Sequence, residues 1–233
     1  MALLPLTNGQ RIARFGQFRF IGSPKNDNPE RIVVCDNWAI QNLTTVKCPQ
    51  LRRLFGVERV NIHHMAAKAF LELWDAWEKA GLLHLVLDYE GAYSARYKRG
   101  SAPRVVVTAP KYASAALSNH SWGTAFDINA KEYPLGHDID INDEYRLLED
   151  AANAIGWFCG GRFNSRKDWM HWEYTGLAPA KSVLEAAQQL RNPPITLFIN
   201  EIKQRQALIG LKADGIVGPK TLAHALDMIR MAA

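Results

Sequence analysis

The chain has 233 residues, 48% of them hydrophobic, with seven Trp, seven Tyr and nine Phe. That content supports one well-filled core plus a small appendage and excludes an intrinsically disordered chain. The formal net charge of +5 favours an anionic partner, whether nucleic acid, acidic lipid or an anionic wall polymer, and charge alone does not choose among them.

No basic run is longer than a pair such as Arg52-Arg53 or Lys98-Arg99, so most of the charge reads as solvated surface. Cys35, Cys48 and Cys159 are odd in number and lack CxxC spacing, which argues against a disulfide framework or a cysteine-based zinc site. Residues 1–8 lack the basic start and the apolar length of a secretory signal, and no stretch approaches the length that spans a bilayer. Synthesis in the cytoplasm is expected, and a target outside it would require a separate route of release.

In chain order, residues 1–50 read as irregular, with a loop over 23–29 and a short strand over 31–35. A helix is expected over 58–80. There Ile62, Met65, Ala66, Ala69, Phe70, Leu73, Trp74 and Trp77 recur at three- and four-residue steps as a core stripe, until Gly81 ends the run. His63 and His64 read as surface or interhelical side chains. Strands are expected over 85–89, 105–108, 124–129 and 170–175, and helices over 143–157 and 180–190. Mixed order without repeated βαβ units predicts an α+β fold, an antiparallel sheet with flanking helices. Asn192-Pro193-Pro194 marks the domain boundary, since consecutive prolines end a helix and stiffen a linker. The expected domains are therefore 1–191 and a small all-helical module, 192–233, whose two amphipathic helices flank a turn containing Gly215 and Gly218.

Two short segments carry chemistry. One runs from Ser118 through His120 and Gly123 to Asp127; the other holds Asp168, His171 and Glu173. Two imidazoles and one carboxylate form a three-ligand set that leaves a fourth tetrahedral position on zinc open for water, the mark of a catalytic rather than a structural site. The mixed donors suit zinc without excluding other divalent ions. Gly123 and its polar neighbours argue for a loop bearing His120 that runs into a strand bearing Asp127, with Gly123 allowing a bend and a close backbone approach. Asp168 stands three residues before His171, where it would act as general base, passing a proton from water to the leaving amine. On an ideal strand residues three apart face opposite sides, so a turn is required between them. Asp138, Asp140, Asn142 and Glu149 suggest a calcium loop, but Asp143 stands where such a loop needs glycine. Around His84, His137 and His224 no carboxylate or histidine stands at a ligand spacing that repeats a known pattern.

Ser118-x-His120-x-x-Gly123-x-Ala125-x-Asp127 with Asp168-x-x-His171-Trp172-Glu173 resembles the zinc D-alanyl-D-alanine carboxypeptidase and L-alanyl-D-glutamate endopeptidase family, enzymes that cut peptidoglycan stem peptides. The resemblance covers roughly 85–175. It implies a fold shared with the hedgehog signalling domain, Zn²⁺ held by His120, Asp127 and His171, and Asp168 as base. Many members carry Glu at that position and some phage endolysins carry Asp; Glu173 is the fallback base. Arg96, with Arg99 as its neighbouring competitor, resembles the family's arginine, which would bind a carbonyl oxygen or a substrate carboxylate. Ser118 would steady the metal loop by hydrogen bonding.

The tail around Asp214, Gly215 and Gly218 resembles the helical peptidoglycan-binding module of cell-wall hydrolases. The pairing implies a phage or prophage endolysin, a monomer released through a holin to act in the periplasm or wall. A D-alanyl-D-alanine carboxypeptidase and a non-catalytic wall-binding or virion structural protein are the alternatives. Neither a helix-turn-helix nor a stacking-strand pattern supports nucleic acid, and no membrane insertion is expected.

Overall fold

The computed structural model describes residues 3–137, 141 and 143–176. The chain divides into two units, Met1–Val183 and Leu184–Ala233, and the described residues all fall in the first. The linker at Asn192-Pro193-Pro194, the helix expected over 180–190 and the tail motif of Asp214, Gly215 and Gly218 lie outside the described residues. So do Asp138, Asp140 and Asn142 of the suggested calcium loop.

Helices and short strands alternate in mixed order, an α+β arrangement. They are α1 (Asn8–Phe15), β1 (Arg19–Gly22), β2 (Ile32–Val34), α2 (Trp38–Asn42), β3 (Leu43–Val46), α3 (Pro49–Phe55), β4 (Val60–His63), α4 (His64–Lys79), β5 (Lys111–Tyr112), β6 (Ala125–Asp127), α5 (Asp143–Ala154), β7 (Trp157–Cys159) and β8 (His171–Tyr174). Among the described residues the strands form small antiparallel sheets in the orders β2-β1-β5, β3-β4 and β6-β8-β7.

Within the first 50 residues the strand expected over 31–35 is present as β2, and the remainder is more ordered than the irregular segment expected of it. A capping box, in which Thr7 and Gln10 each satisfy the other's backbone N–H, opens α1. Phe15, Phe18, Phe20, Ile32 and Trp38 then bury against Tyr97, Leu117 and Trp122 as a second hydrophobic cluster. These elements are too short for apolar periodicity to reveal; their stability comes from packing on distant residues.

The helix expected over 58–80 begins at His64, because 60–63 pairs with β3 as β4. His63 is fully buried rather than a surface side chain, and its Nδ1 caps α4 by accepting the Met65 N–H at 3.2 Å. The stripe Ala66, Ala69, Phe70, Leu73, Trp74 and Trp77 is buried as expected, whereas Met65 is 45% exposed on the first turn. The strand expected over 85–89 is reduced to a 3₁₀ turn, Leu83–Leu85, and a single bridge from Tyr89 to Ile128. Over 105–108 only Val107 pairs, accepting from Gly22 N–H, while Val105 and Val106 stay exposed. β-branched residues make a strand only where a covering face exists. The helix expected to reach 157 stops at Ala154, and β7 follows.

Alternation along the β6-β8-β7 sheet sets up everything downstream. Phe126 and Trp172 are register partners. Phe126 meets Phe70 at 5.4 Å and Trp172 meets Trp77 at 5.5 Å, both on α4, while Trp157 of β7 meets Phe126 at 5.0 Å. Each such aromatic contributes about 1.5–3 kcal/mol of burial. Side chains one residue away point to the opposite face, which places Asp127, His171 and Glu173 together, away from the aromatic core.

Candidate metal centre

His120 lies in a 3₁₀ turn, Asn119–Trp122, between β5 and β6. The Ser118 side chain opens the turn by accepting the His120 N–H at 3.4 Å. Gly123 closes it in the left-handed region at φ 63°. A Cβ on Gly123 would lie 2.9 Å from the His63 backbone nitrogen, which donates to the Gly123 carbonyl at 2.8 Å. Only glycine accepts both the dihedral and the approach. The buried Trp122 indole donates to the Gly16 carbonyl at 2.9 Å and locks the turn onto the N-terminal cluster.

Three atoms converge on the face opposite the aromatic core. His120 Nε2 lies 3.1 Å from Asp127 Oδ1, His171 Nδ1 lies 3.0 Å from the same oxygen, and the two nitrogens are 3.2 Å apart. Three such atoms within 4.8 Å of one another make a group that can hold a metal ion. Tetrahedral zinc with bonds of about 2.0–2.1 Å separates its ligands by about 3.3–3.4 Å, close to the observed triangle. Both rings have their outer nitrogen engaged. His120 Nδ1 faces the Ala92 carbonyl at 2.7 Å, and His171 Nε2 faces Glu173 Oε2 at 3.4 Å. An outer N–H donated to an acceptor leaves the inner nitrogen with a free lone pair, as a metal ligand requires.

The electrostatics also favour a cation. Burial opposes the charge on Asp127, but the charge of His120 and hydrogen bonds with His120 and His171 outweigh it and hold the carboxyl well below its usual range. Burial likewise opposes a charged His171, yet hydrogen bonds to Asp127 and Glu173 and the charges of Asp127 and Asp168 raise its pKa. The acidic groups gathered here favour positive charge at this place, whether a proton on His171 or a metal ion that displaces it. The residues present fit a divalent ion.

Residues 112–174 match the model of the D-alanyl-D-alanine carboxypeptidase family. The match spans about a quarter of the chain, running from the end of β5 to the end of β8. It contains His120, Asp127, Asp168 and His171 and stops short of Arg96. The matched family is zinc-dependent, in keeping with the donor set. Searches of the curated proteins and of the solved structures give no match.

Asp168 sits on the turn immediately before β8. Its carbonyl accepts the His171 N–H at 3.1 Å and its own N–H donates to Gly160 at 3.1 Å. The turn thus breaks the strict alternation that an ideal strand would impose on residues three apart. Asp168 Oδ1 is buried and has no hydrogen-bond partner among the described residues. Burial, opposed by the charge of His171, raises the Asp168 pKa.

Arg96 reaches the centre and Arg99 does not. Arg96 Nη2 lies 3.9 Å from Asp127 Oδ2, whereas Arg99 pairs with Glu30 at 2.8 Å. Ser121 fixes the Arg96 backbone from both sides, its Oγ accepting the N–H at 3.0 Å and donating to the carbonyl at 2.9 Å. Glu149, the end of the suggested calcium loop, is engaged instead by Arg162 through two 2.6 Å contacts.

The roles of Ser121, Asn119 and the Ala92 carbonyl leave no signal in the sequence. Their partners lie 25, 54 and 28 residues away, beyond any local pattern.

Proposed function

We propose that this chain is a zinc peptidase that hydrolyses peptide bonds in peptidoglycan stem peptides, with the L-alanyl-D-glutamate bond as its target. One observation carries the reading: His120 Nε2, Asp127 Oδ1 and His171 Nδ1 converge inside the segment that matches a zinc-dependent family of wall peptidases. His120, Asp127 and His171 would hold the ion. Bound there, zinc supplies Lewis-acid polarisation of a carbonyl and makes water more acidic.

The chain's own groups supply the rest. Asp168, whose Oδ1 has no hydrogen-bond partner among the described residues, takes a proton from the attacking water and delivers it to the departing amine. Arg96, held near Asp127, offers its guanidinium to the carbonyl oxygen as negative charge develops, or to a substrate carboxylate. Ser118 keeps the His120 turn in place. The aspartate at 168 resembles endolysins of this type and favours the L-alanyl-D-glutamate bond. In this reading the fold is of the hedgehog and DD-peptidase type. The tail around Asp214, Gly215 and Gly218 is a wall-binding module, and the protein acts as a monomer on the host wall after holin-type release from the cytoplasm.

A D-alanyl-D-alanine carboxypeptidase is the second reading, favoured by the description of the matched family. Digestion of purified wall followed by mass analysis separates the two. The endopeptidase frees peptides beginning with D-glutamate; the carboxypeptidase frees single D-alanine. Wall cleavage that survives zinc removal contradicts both.

A further inference from the structure

Glu173 is a buried carboxylate, 3% exposed, on the site face of β8. Its Oε2 faces two groups at once: His171 Nε2 at 3.4 Å, and the side-chain amide of Asn119. Asn119 directly precedes His120 in the 3₁₀ turn. Two elements far apart in sequence, one bearing each histidine, are therefore tied through a single carboxylate oxygen.

We propose that Asn119 and Glu173 form a brace that positions the two histidines, with Glu173 acting as a positioning residue for His171 rather than as a base. The proposal rests on the metal-centre reading and deepens it. Glu173 lies at the Nε2 end of the imidazole, while Nδ1 is the atom that joins the triangle with His120 and Asp127. By accepting the Nε2–H it selects the tautomer with a lone pair on Nδ1 and prevents ring rotation. Asn119 donates to the same oxygen, so the carboxylate cannot swing away without releasing the turn that carries His120. The Ala92 carbonyl performs the matching task for His120.

A buried carboxylate held this way is costly unless compensated. Two donors meet it, and the positive charges of Arg11 and Lys98 lie within electrostatic reach. Arg11 is itself buried, lies over the Trp122 ring at 5.5 Å and donates to the Leu6 carbonyl at 3.2 Å. The N-terminal helix thereby brings a compensating charge to the back of the site.

The test is zinc affinity of the full chain, measured by competition with a chromophoric chelator, with thermal unfolding of the zinc-free protein in parallel. Glu173→Leu keeps bulk and removes the acceptor; it should weaken zinc about 10–100-fold, the usual effect of losing an outer partner of a metal histidine. Glu173→Gln keeps an acceptor oxygen and should recover most of that loss. Asn119→Ala should weaken zinc while leaving the ligands intact. The absorption bands of the cobalt-substituted protein should shift in Glu173→Leu and remain near wild type in Glu173→Gln. Should Glu173→Leu fail to fold, a wild-type affinity in Asn119→Ala overturns the brace, as does wild-type affinity in a folded Glu173→Leu. A wild-type chain that binds no zinc defeats the metal-centre reading itself. Neither outcome depends on wall cleavage.

Discussion

Asp127 and His171 are register partners across β6 and β8, and their side chains meet at 3.0 Å on the face opposite the aromatic core. Strand pairing thus supplies two of the three donors at fixed separation, and the His120 turn adds the third. Because the spacing is held by the sheet, changes to chemistry and changes to scaffold should separate cleanly in experiment.

Asp168 lies outside the His–Asp–His triangle and carries a buried oxygen without a hydrogen-bond partner among the described residues. Asp168→Ala should retain zinc and lose about 10²–10⁴-fold in turnover, the usual contribution of a general acid–base group. Zinc content and the rate of peptide release from purified wall, measured on the same sample, check this. A variant of undiminished rate removes Asp168 from the mechanism.

Arg96 and Arg99 give a paired comparison. Arg96→Gln removes the guanidinium beside Asp127 and should lower kcat about 10²–10³-fold, as loss of a donor to a developing oxyanion does. Arg99→Gln removes the contact with Glu30, a buried carboxylate that still accepts the Gly100 N–H at 3.3 Å, and should leave kcat near wild type. Equal losses from both changes would contradict the assignment.

Gly123→Ala should destabilise the protein by about 1–3 kcal/mol, the cost of forcing a side chain into a disfavoured backbone region, because φ is 63° and a Cβ would meet the His63 backbone. The urea midpoint should fall, and zinc affinity with it, since Gly123 separates the His120 turn from β6. An unchanged midpoint would show that the turn relaxes freely.

His63 gives a pH signature away from the metal. Burial, with a smaller contribution from stacked His64 and opposition from the Phe15 carbonyl, lowers its pKa from 6.5 to about 4. A lowered folded-state pKa means that the unfolded chain binds the extra proton first. The His63 contribution to stability is therefore complete above about pH 6.5 and is lost as pH falls toward 4, by on the order of 3 kcal/mol. Unfolding of the zinc-free protein across that window should show the decline, and His63→Gln should flatten it. Parallel curves for wild type and variant would contradict this.

The site was more legible in the sequence than the scaffold. His120, Asp127 and His171 stand out because metal ligation demands rare side-chain types in fixed number. Gly123 stands out because a tight turn needs it. The α4 stripe is readable since a 16-residue helix repeats its period several times. The N-terminal elements are too short to do so, although Thr7-x-x-Gln10 is a capping-box pattern that marks the start of α1. Glu173 shows the remaining limit. Its type and place are visible in the sequence, but its orientation toward His171 and Asn119 depends on β6–β8 register and on a turn 54 residues away.

The central claim is that one divalent ion is held jointly by positions 120, 127 and 171. Metal analysis of the purified protein beside His120→Ala and His171→Ala is the decisive measurement. The wild type should carry about one zinc per chain, as one three-donor site allows, and both folded variants should lose it. A wild type without metal, or variants that keep it, would contradict the account.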